Sequence, residues 1–199
     1  MFFVHLPGPV HIDNNIPPHY GFQLEVLTYI VYFHQVLYIH HPRIHFFSQD
    51  LFSWEPNQTF GVVTSLAVIE HVPDIRGFLR KLRRFAKKGG RLVLMTLNEC
   101  STVYAVAKGL RRFDFKGPFE RLYSRHHRHH FTLRSLRYLV EQTGLVVEEH
   151  FTHNFPLAAV DFPSRGPWLD ATQKVGVAGL FSIGRIAQNA FLQTLVCRT

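Results

Sequence analysis

Cysteine is almost missing from this chain of 199 residues: Cys100 and Cys197 are the two, nearly a hundred positions apart, with no partner at metal-ligand spacing. A disulfide scaffold and a zinc ribbon are therefore excluded, and a reducing, cytoplasmic setting is the expectation. Charge is sparse as well, at 18% of residues against about 25% in an average soluble chain. With 46% hydrophobic residues the composition is that of a globular domain, not a disordered tail. Long apolar runs are missing too. The most apolar stretch, Leu24 to Ile39, is shorter than the roughly 20 residues that cross a bilayer and is interrupted by Glu25, His34 and Gln35. No basic segment with a small-residue cleavage site frames Met1 to Pro9, which disfavours a secretory signal. Gly-x-Ser-x-Gly, His-Glu-x-x-His and Cys-x-x-Cys are absent, so hydrolase, zinc-protease and thiol-redox chemistry lack a foothold. Gly176, Gly179 and Gly184 have the wrong spacing for a phosphate loop.

What the chain does have is a surplus of positive charge, 22 Lys and Arg against 14 Asp and Glu, for a formal net charge of +8. An anionic partner of some kind follows, though charge alone does not name it. The length suits one domain. Residues 1–42 carry scattered histidines and prolines and no sustained period, whereas from Arg43 the pattern turns regular. Ile44 to Phe47 and Phe60 to Leu66 read as strands, the second apolar enough at its start for a buried parallel strand. Asp74 caps a predicted helix with Ile75, Phe78, Leu79, Leu82 and Phe85 on one face, stopping at Gly89-Gly90. Arg91 to Leu97 is the next strand, and this strand–helix–strand order argues for a parallel sheet. After a basic, aromatic insertion, Thr132 caps a helix that ends at Gly144, and Leu145 to Phe151 follows as a strand. A glycine-interrupted helix from about Lys174 to Ala190 and a strand from Leu192 to Cys197 close the chain.

The segment FGVVTSLAVIEHVPDIRGFLRKLRRFAKKGGRLVLMTL, Phe60 to Leu97, resembles the second half of a class I S-adenosylmethionine-dependent methyltransferase, of the subgroup that includes the ubiquinone-pathway O-methyltransferases. The element Ile69-Glu70-His71-Val72-Pro73-Asp74, the helix, the Gly89-Gly90 turn and the following strand carry the resemblance. It extends upstream to about Arg43 and downstream through His127 to Phe151. It implies an α/β, Rossmann-like three-layer fold and S-adenosylmethionine as cofactor. It also implies that Asp50 accepts a hydrogen bond from the adenine amino group, that Leu51 adds a neighbouring backbone contact and that Leu66 covers the cofactor. The family's glycine-rich turn after its first strand has no counterpart, because Gly8 and Gly21 are the only glycines before Gly61. Where the family places a carboxylate for the ribose hydroxyls this chain has Thr28, with Glu25 an approximate substitute. The expectation is a fold incomplete at its N-terminal side, a polypeptide that begins inside a longer methyltransferase. Residues 1–42 form an atypical segment unrelated to the family, and residues 43–199 form the methyltransferase domain. Val26 to Ile39 is then the only apolar segment available to fill the place of the missing central strand.

The remaining candidates divide between chemistry and scaffolding. Glu70 and His71 are either an acid/base pair at the acceptor or the shapers of the turn after the strand. The subgroup's metal-binding pattern, Glu-x-x-Glu-His, has Ala67 at its first position here, so no metal is assigned. Of the histidines at 126, 127, 129 and 130, His127 corresponds to the family's histidine and is the candidate general base, in what otherwise reads as a solvated loop. Arg80, Lys81, Arg83, Arg84, Lys87 and Lys88 lie between the apolar positions of their helix, which reads as a solvated face and not a nucleic-acid stripe. Lys108 to Arg128, with Phe113, Phe115, Phe119 and Tyr123, either covers the acceptor or touches an anionic membrane surface. The expected function is methyl transfer from S-adenosylmethionine to oxygen, nitrogen or carbon of a small molecule. The competing reading is a truncated or degenerate methyltransferase-like partner protein without catalysis.

Overall fold

The computed structural model describes residues 2–6, 26–30, 45–48, 50–123, 127–157, 160 and 166–199. Seven strands form one sheet: β1 (Phe2–Leu6), β2 (Val26–Ile30), β3 (His45–Ser48), β4 (Phe60–Leu66), β5 (Ala86–Leu97), β6 (Val146–His153) and β7 (Leu192–Arg198). Their order across the sheet is β3-β1-β2-β4-β5-β7-β6. β2, β4 and β5 are parallel neighbours. β1 runs against both β2 and β3, and β7 against both β5 and β6. It follows that β2, β3, β4, β5 and β6 all point one way, so their carboxyl ends share one edge of the sheet, where α/β folds bind ligands.

The helices cover the two faces. α1 (Ile75–Phe85) starts where expected because the Asp74 carboxylate accepts the Gly77 N–H at 2.9 Å. The Asp74 carboxylate lies so close to Gly77 that a Cβ there would force it to shift. Phe78, Leu79, Leu82 and Phe85 of α1, with Leu136 and Val140 of α4 (Leu133–Glu141), pack on Val63, Leu92, Leu94 and Leu195 in the main core. Thr132 and Ser135 make the reciprocal capping box that opens α4. α2 (Thr102–Arg112) and the 20-residue α5 (Pro167–Ile186) contact each other, and Tyr104 of α2 joins Leu97 and Leu192 in a second, smaller cluster. Of the described helices none is long and apolar enough to cross a membrane.

Several expectations need correction, among them the last helix, which ends at Ile186 and not Ala190. The helix from Ile75 ends at Phe85, not at the Gly89-Gly90 turn, and β5 begins at Ala86 instead of Arg91. The chain turns extended early because Ala86 pairs with Phe60, and Thr199 fastens the next residues, donating its hydroxyl to Lys87 O at 2.7 Å and its N–H to Gly90 O at 3.1 Å. The insertion is helical, forming α2 and α3 (Gly117–Leu122), with Ser101 capping α2. The last helix starts at Pro167, about two turns ahead of Lys174. Strands β4, β6 and β7 lie within two residues of expectation. Val26–Ile30 does take the place beside β4, while Val31 to Ile39 and Glu25 lie outside the described residues.

Candidate functional site

The site forms where β4 and β5 end. After Leu66 the chain leaves the sheet through Ala67, whose φ of +52° is the left-handed conformation that a side chain disfavours. Ala67 N–H still bonds Met95 O at 3.0 Å, which fixes this exit against β5. Val68 and Ile69 then drop into the core. Glu70 follows at 1% exposure. Its Oε2 accepts the Thr96 hydroxyl at 2.7 Å, and its backbone oxygen accepts the N–H groups of Arg128 at 2.9 Å and His129 at 3.1 Å. Burial pushes the Glu70 carboxyl up, against its own backbone hydrogen bond, the Thr96 hydroxyl and the nearby His71 and His127.

The two backbone bonds to Glu70 dock the segment before α4 onto the turn after β4. They bring the His71 and His127 rings to 5.0 Å, and His127 Nδ1 lies 3.3 Å from Leu122 O at the end of α3. Glu70 and His71, adjacent in sequence, thus lie beside His127 from a distant segment, and the Glu70 backbone oxygen holds that segment in place. Beyond His127, at 6.1 Å between ring centres, stands His130. It contacts the buried Tyr104 hydroxyl at 3.3 Å and lies 4.3 Å from the Tyr123 ring. Glu99 accepts Tyr123 Oη at 2.9 Å and Lys108 Nζ at 3.2 Å. Burial alone would raise the Glu99 carboxyl, but these two donors outweigh it and hold it below the usual range. His126 lies outside the described residues. Among the described residues no group of three His, Cys, Asp or Glu side chains converges in the manner of a metal centre.

Sequence reasoning missed Thr96, Tyr104, Glu99 and His130 as parts of this site. Thr96 had a signal: it continues the buried alternation Leu92, Leu94, Thr96 as a polar residue at a core position, which calls for a polar partner. The others are joined by contacts between segments 24 to 26 residues apart, which local pattern does not encode.

The cofactor candidates lie along the same edge. Asp50 follows β3; its Oδ2 accepts the Ser53 N–H at 2.9 Å and its backbone oxygen the Trp54 N–H at 3.0 Å, so it opens a tight turn with an exposed carboxylate. Leu51 is wholly buried in the main core, which leaves only its backbone for a ligand. Leu66 is half-buried at the end of β4. Asp50 and Leu66 thus stand at the edge where the resemblance expects the adenine end of S-adenosylmethionine. Toward the ribose and methionine ends, β1 runs in reverse, so its first residue, Phe2, stands at the edge beside Ile30 and Ser48, and the sequence after Ile30 holds no glycine before Gly61.

A twisted sheet with a reversed penultimate strand and an acidic turn after β4 defines an α/β protein of Rossmann-like type. The model of a methyltransferase domain family matches residues 12–150, more than half of the chain, and the chain belongs to that family. Membership implies S-adenosylmethionine as the cofactor. A ubiquinone biosynthesis O-methyltransferase of Paramagnetospirillum magneticum is 42% identical over 53 residues, which is 27% of this chain and 21% of that protein. One of Pseudomonas syringae pv. tomato is 38% identical over 60 residues, 30% of this chain and 25% of its own. The chain thus matches a fifth to a quarter of the length of these curated relatives. A solved S-adenosylmethionine-dependent methyltransferase from Mesorhizobium loti aligns at 14% identity over 76% of this chain and 67% of that one, with a TM-score of 0.44.

Proposed function

We propose that this chain acts as an S-adenosylmethionine-dependent methyltransferase on a small-molecule acceptor. In this reading Glu70, His71 and His127 surround the acceptor, while Asp50, Leu51 and Leu66 meet the adenine end of the cofactor. The observation that carries it is the docking of the His127 segment on the Glu70 backbone oxygen, which gathers two imidazoles and a buried carboxyl at the carboxyl edge of the sheet. The chain's own groups would hold the acceptor and take its proton; an imidazole suits that work near neutral pH. Residues 43–199 would carry the methyltransferase domain, with residues 1–42 an atypical segment that supplies β1 and β2.

Calorimetric titration with S-adenosylhomocysteine tests the reading. Submillimolar binding would support it, and no heat at millimolar ligand would refute it. A specific observation favours the second reading, a methyltransferase-like partner protein without catalysis: the reversed β1 and the glycine-free sequence after Ile30 leave the ribose and methionine ends without their usual partners.

Peripheral contact with an anionic membrane belongs to the same proposal. Phe113, at 86% exposure, and Phe115, at 60%, stand on the loop from α2 to α3 among Arg111, Arg112 and Lys116. Aromatic rings beside cations favour an anionic lipid interface. Sedimentation with phosphatidylglycerol vesicles should exceed that with phosphatidylcholine vesicles, and Phe113→Ser with Phe115→Ser should abolish the difference. Equal sedimentation with both lipids would refute membrane contact.

A further inference from the structure

His130 is held differently from the other histidines of the site. Tyr104, fully buried on α2, contacts Leu122 O at 3.4 Å and His130 Nδ1 at 3.3 Å. When Tyr104 gives its single hydroxyl hydrogen to the Leu122 carbonyl, which only accepts, its own oxygen is left to accept. The contact with His130 is then made by an Nδ1–H that donates to the Tyr104 oxygen. In this arrangement the proton sits on Nδ1 and the lone pair on Nε2. No described residue makes a hydrogen bond to His130 Nε2.

We propose that His130 is a base of the acceptor site, with Tyr104 as its positioning residue, so that Nε2 takes the proton of an acceptor whose reacting atom carries a weakly acidic hydrogen. The acceptor O–H or N–H bond breaks, its electron pair stays on the acceptor atom, and an Nε2–H bond forms to give an imidazolium. The Nδ1–H remains with Tyr104 throughout. This rests on the acceptor-site reading above but not on cofactor binding.

The surroundings favour the step. Burial pushes the His130 imidazole down, Glu99 works against that, and His127, Lys108 and His129 add to it, so the ring is neutral and able to accept at neutral pH. The Glu99 carboxylate is close enough to favour the imidazolium once formed. Burial also raises the Tyr104 phenol, as do Tyr123, Glu99 and Glu70, and that keeps Tyr104 protonated as the donor to Leu122. The Tyr123 ring, stacked on Phe119 at 4.3 Å, offers a flat apolar wall beside His130.

Two-bond nitrogen–proton correlation spectra of the nitrogen-labelled chain test this, with His130→Gln assigning the signal by its disappearance. The expected wild-type pattern at neutral pH is the Nδ1–H tautomer. Tyr104→Phe, with unchanged circular dichroism, should convert it to a mixture containing Nε2–H. Phenol at millimolar concentration, as a probe with a weakly acidic hydroxyl, should shift the His130 Nε2 resonance and leave His153 Nε2, bonded to Thr194 at 3.0 Å, in place. An Nε2–H tautomer in the wild type, or an Nε2 resonance indifferent to phenol, would overturn the proposal. If Tyr104→Phe does not fold, these two wild-type measurements decide it. None of them involves S-adenosylhomocysteine, so failure here is distinguishable from failure of the methyltransferase reading.

Discussion

Glu70→Gln keeps the shape of a side chain that is 1% exposed and removes its capacity to ionise. The Thr96 hydroxyl, now donating to Glu70 Oε2 at 2.7 Å, finds an equivalent amide oxygen in the variant. The new amide N–H pair brings a cost of about 1–3 kcal/mol if unpartnered, but that cost does not depend on pH. What depends on pH is the lost charge. Burial holds the Glu70 carboxyl above its ordinary value in the folded chain, outweighing the hydrogen bonds and the histidines that lower it. A group whose folded value is raised contributes stability below its unfolded pKa and loses that contribution as pH rises through the folded one. Each unit of elevation corresponds to about 1.4 kcal/mol. The stability of Glu70→Gln relative to wild type should therefore improve as pH rises from about 4, the unfolded carboxylate range, and level off above the folded value. Urea unfolding curves of both proteins across that window provide the measurement. A variant that loses ground as pH rises would refute the reasoning, since it would mean that attraction to His71 and His127 exceeds the cost of burying the charge.

Asp50→Ala should weaken S-adenosylhomocysteine binding roughly ten-fold or more, from a charge-assisted hydrogen bond worth about 1.5–3 kcal/mol, with circular dichroism intact. Affinity unchanged in the folded variant would remove Asp50 from the site. Gly144→Ala should cost about 1–2 kcal/mol in a thermal or urea melt, because φ is +77° and the added Cβ would stand 2.7 Å from Arg83 Nη1, which donates to Thr143 O at 2.8 Å. In hydrogen exchange, β4 amides should be as protected as those of β5, since β4 is paired on both sides. Rapid exchange on the β4 side that faces β2 would show that Val26–Ile30 does not complete the sheet.

Where a single local rule sufficed, the fold was legible. Asp74 before the apolar spacing of α1, Thr132 before α4 and the apolar run of β4 each gave an element bounded close to its place in the structure. The end of α1 was not legible, because pairing with Phe60 and two bonds from Thr199, more than a hundred residues away, draw Ala86 to Gly90 into a strand despite the glycines. In the same way Glu70, His71 and His127 stood out by residue type, but what joins them is a backbone oxygen accepting from Arg128 and His129. His130 read as one of a solvated run because the partner that sets it apart, Tyr104, lies 26 residues upstream on a helix the insertion was not expected to form.

The N-terminal strands bear on the cofactor edge through direction more than through composition. A strand contributes a side chain to the ligand edge from its carboxyl end if it runs with β4 and from its first residue if it runs against it. β1 lies between β3 and β2 and is antiparallel to both, so Phe2 pairs with Ile30 on one side and Ser48 on the other at that edge. Leu6, the carboxyl end of β1, pairs with Val26 at the opposite edge. Thr28, at the expected distance for the ribose-binding position, is in the middle of β2, opposite Val4 and Thr64 and two residues short of the edge. An acidic residue introduced at position 28 would therefore start from a backbone two residues short of the ligand edge. A carboxylate at the residue-2 position would stand at the edge itself, so Phe2→Asp is the substitution that this topology permits and Thr28→Asp the one it penalises. Phe2→Asp should strengthen S-adenosylhomocysteine binding, whereas Thr28→Asp should not. The reverse ranking of the two affinities would mean that β1 does not run against its neighbours.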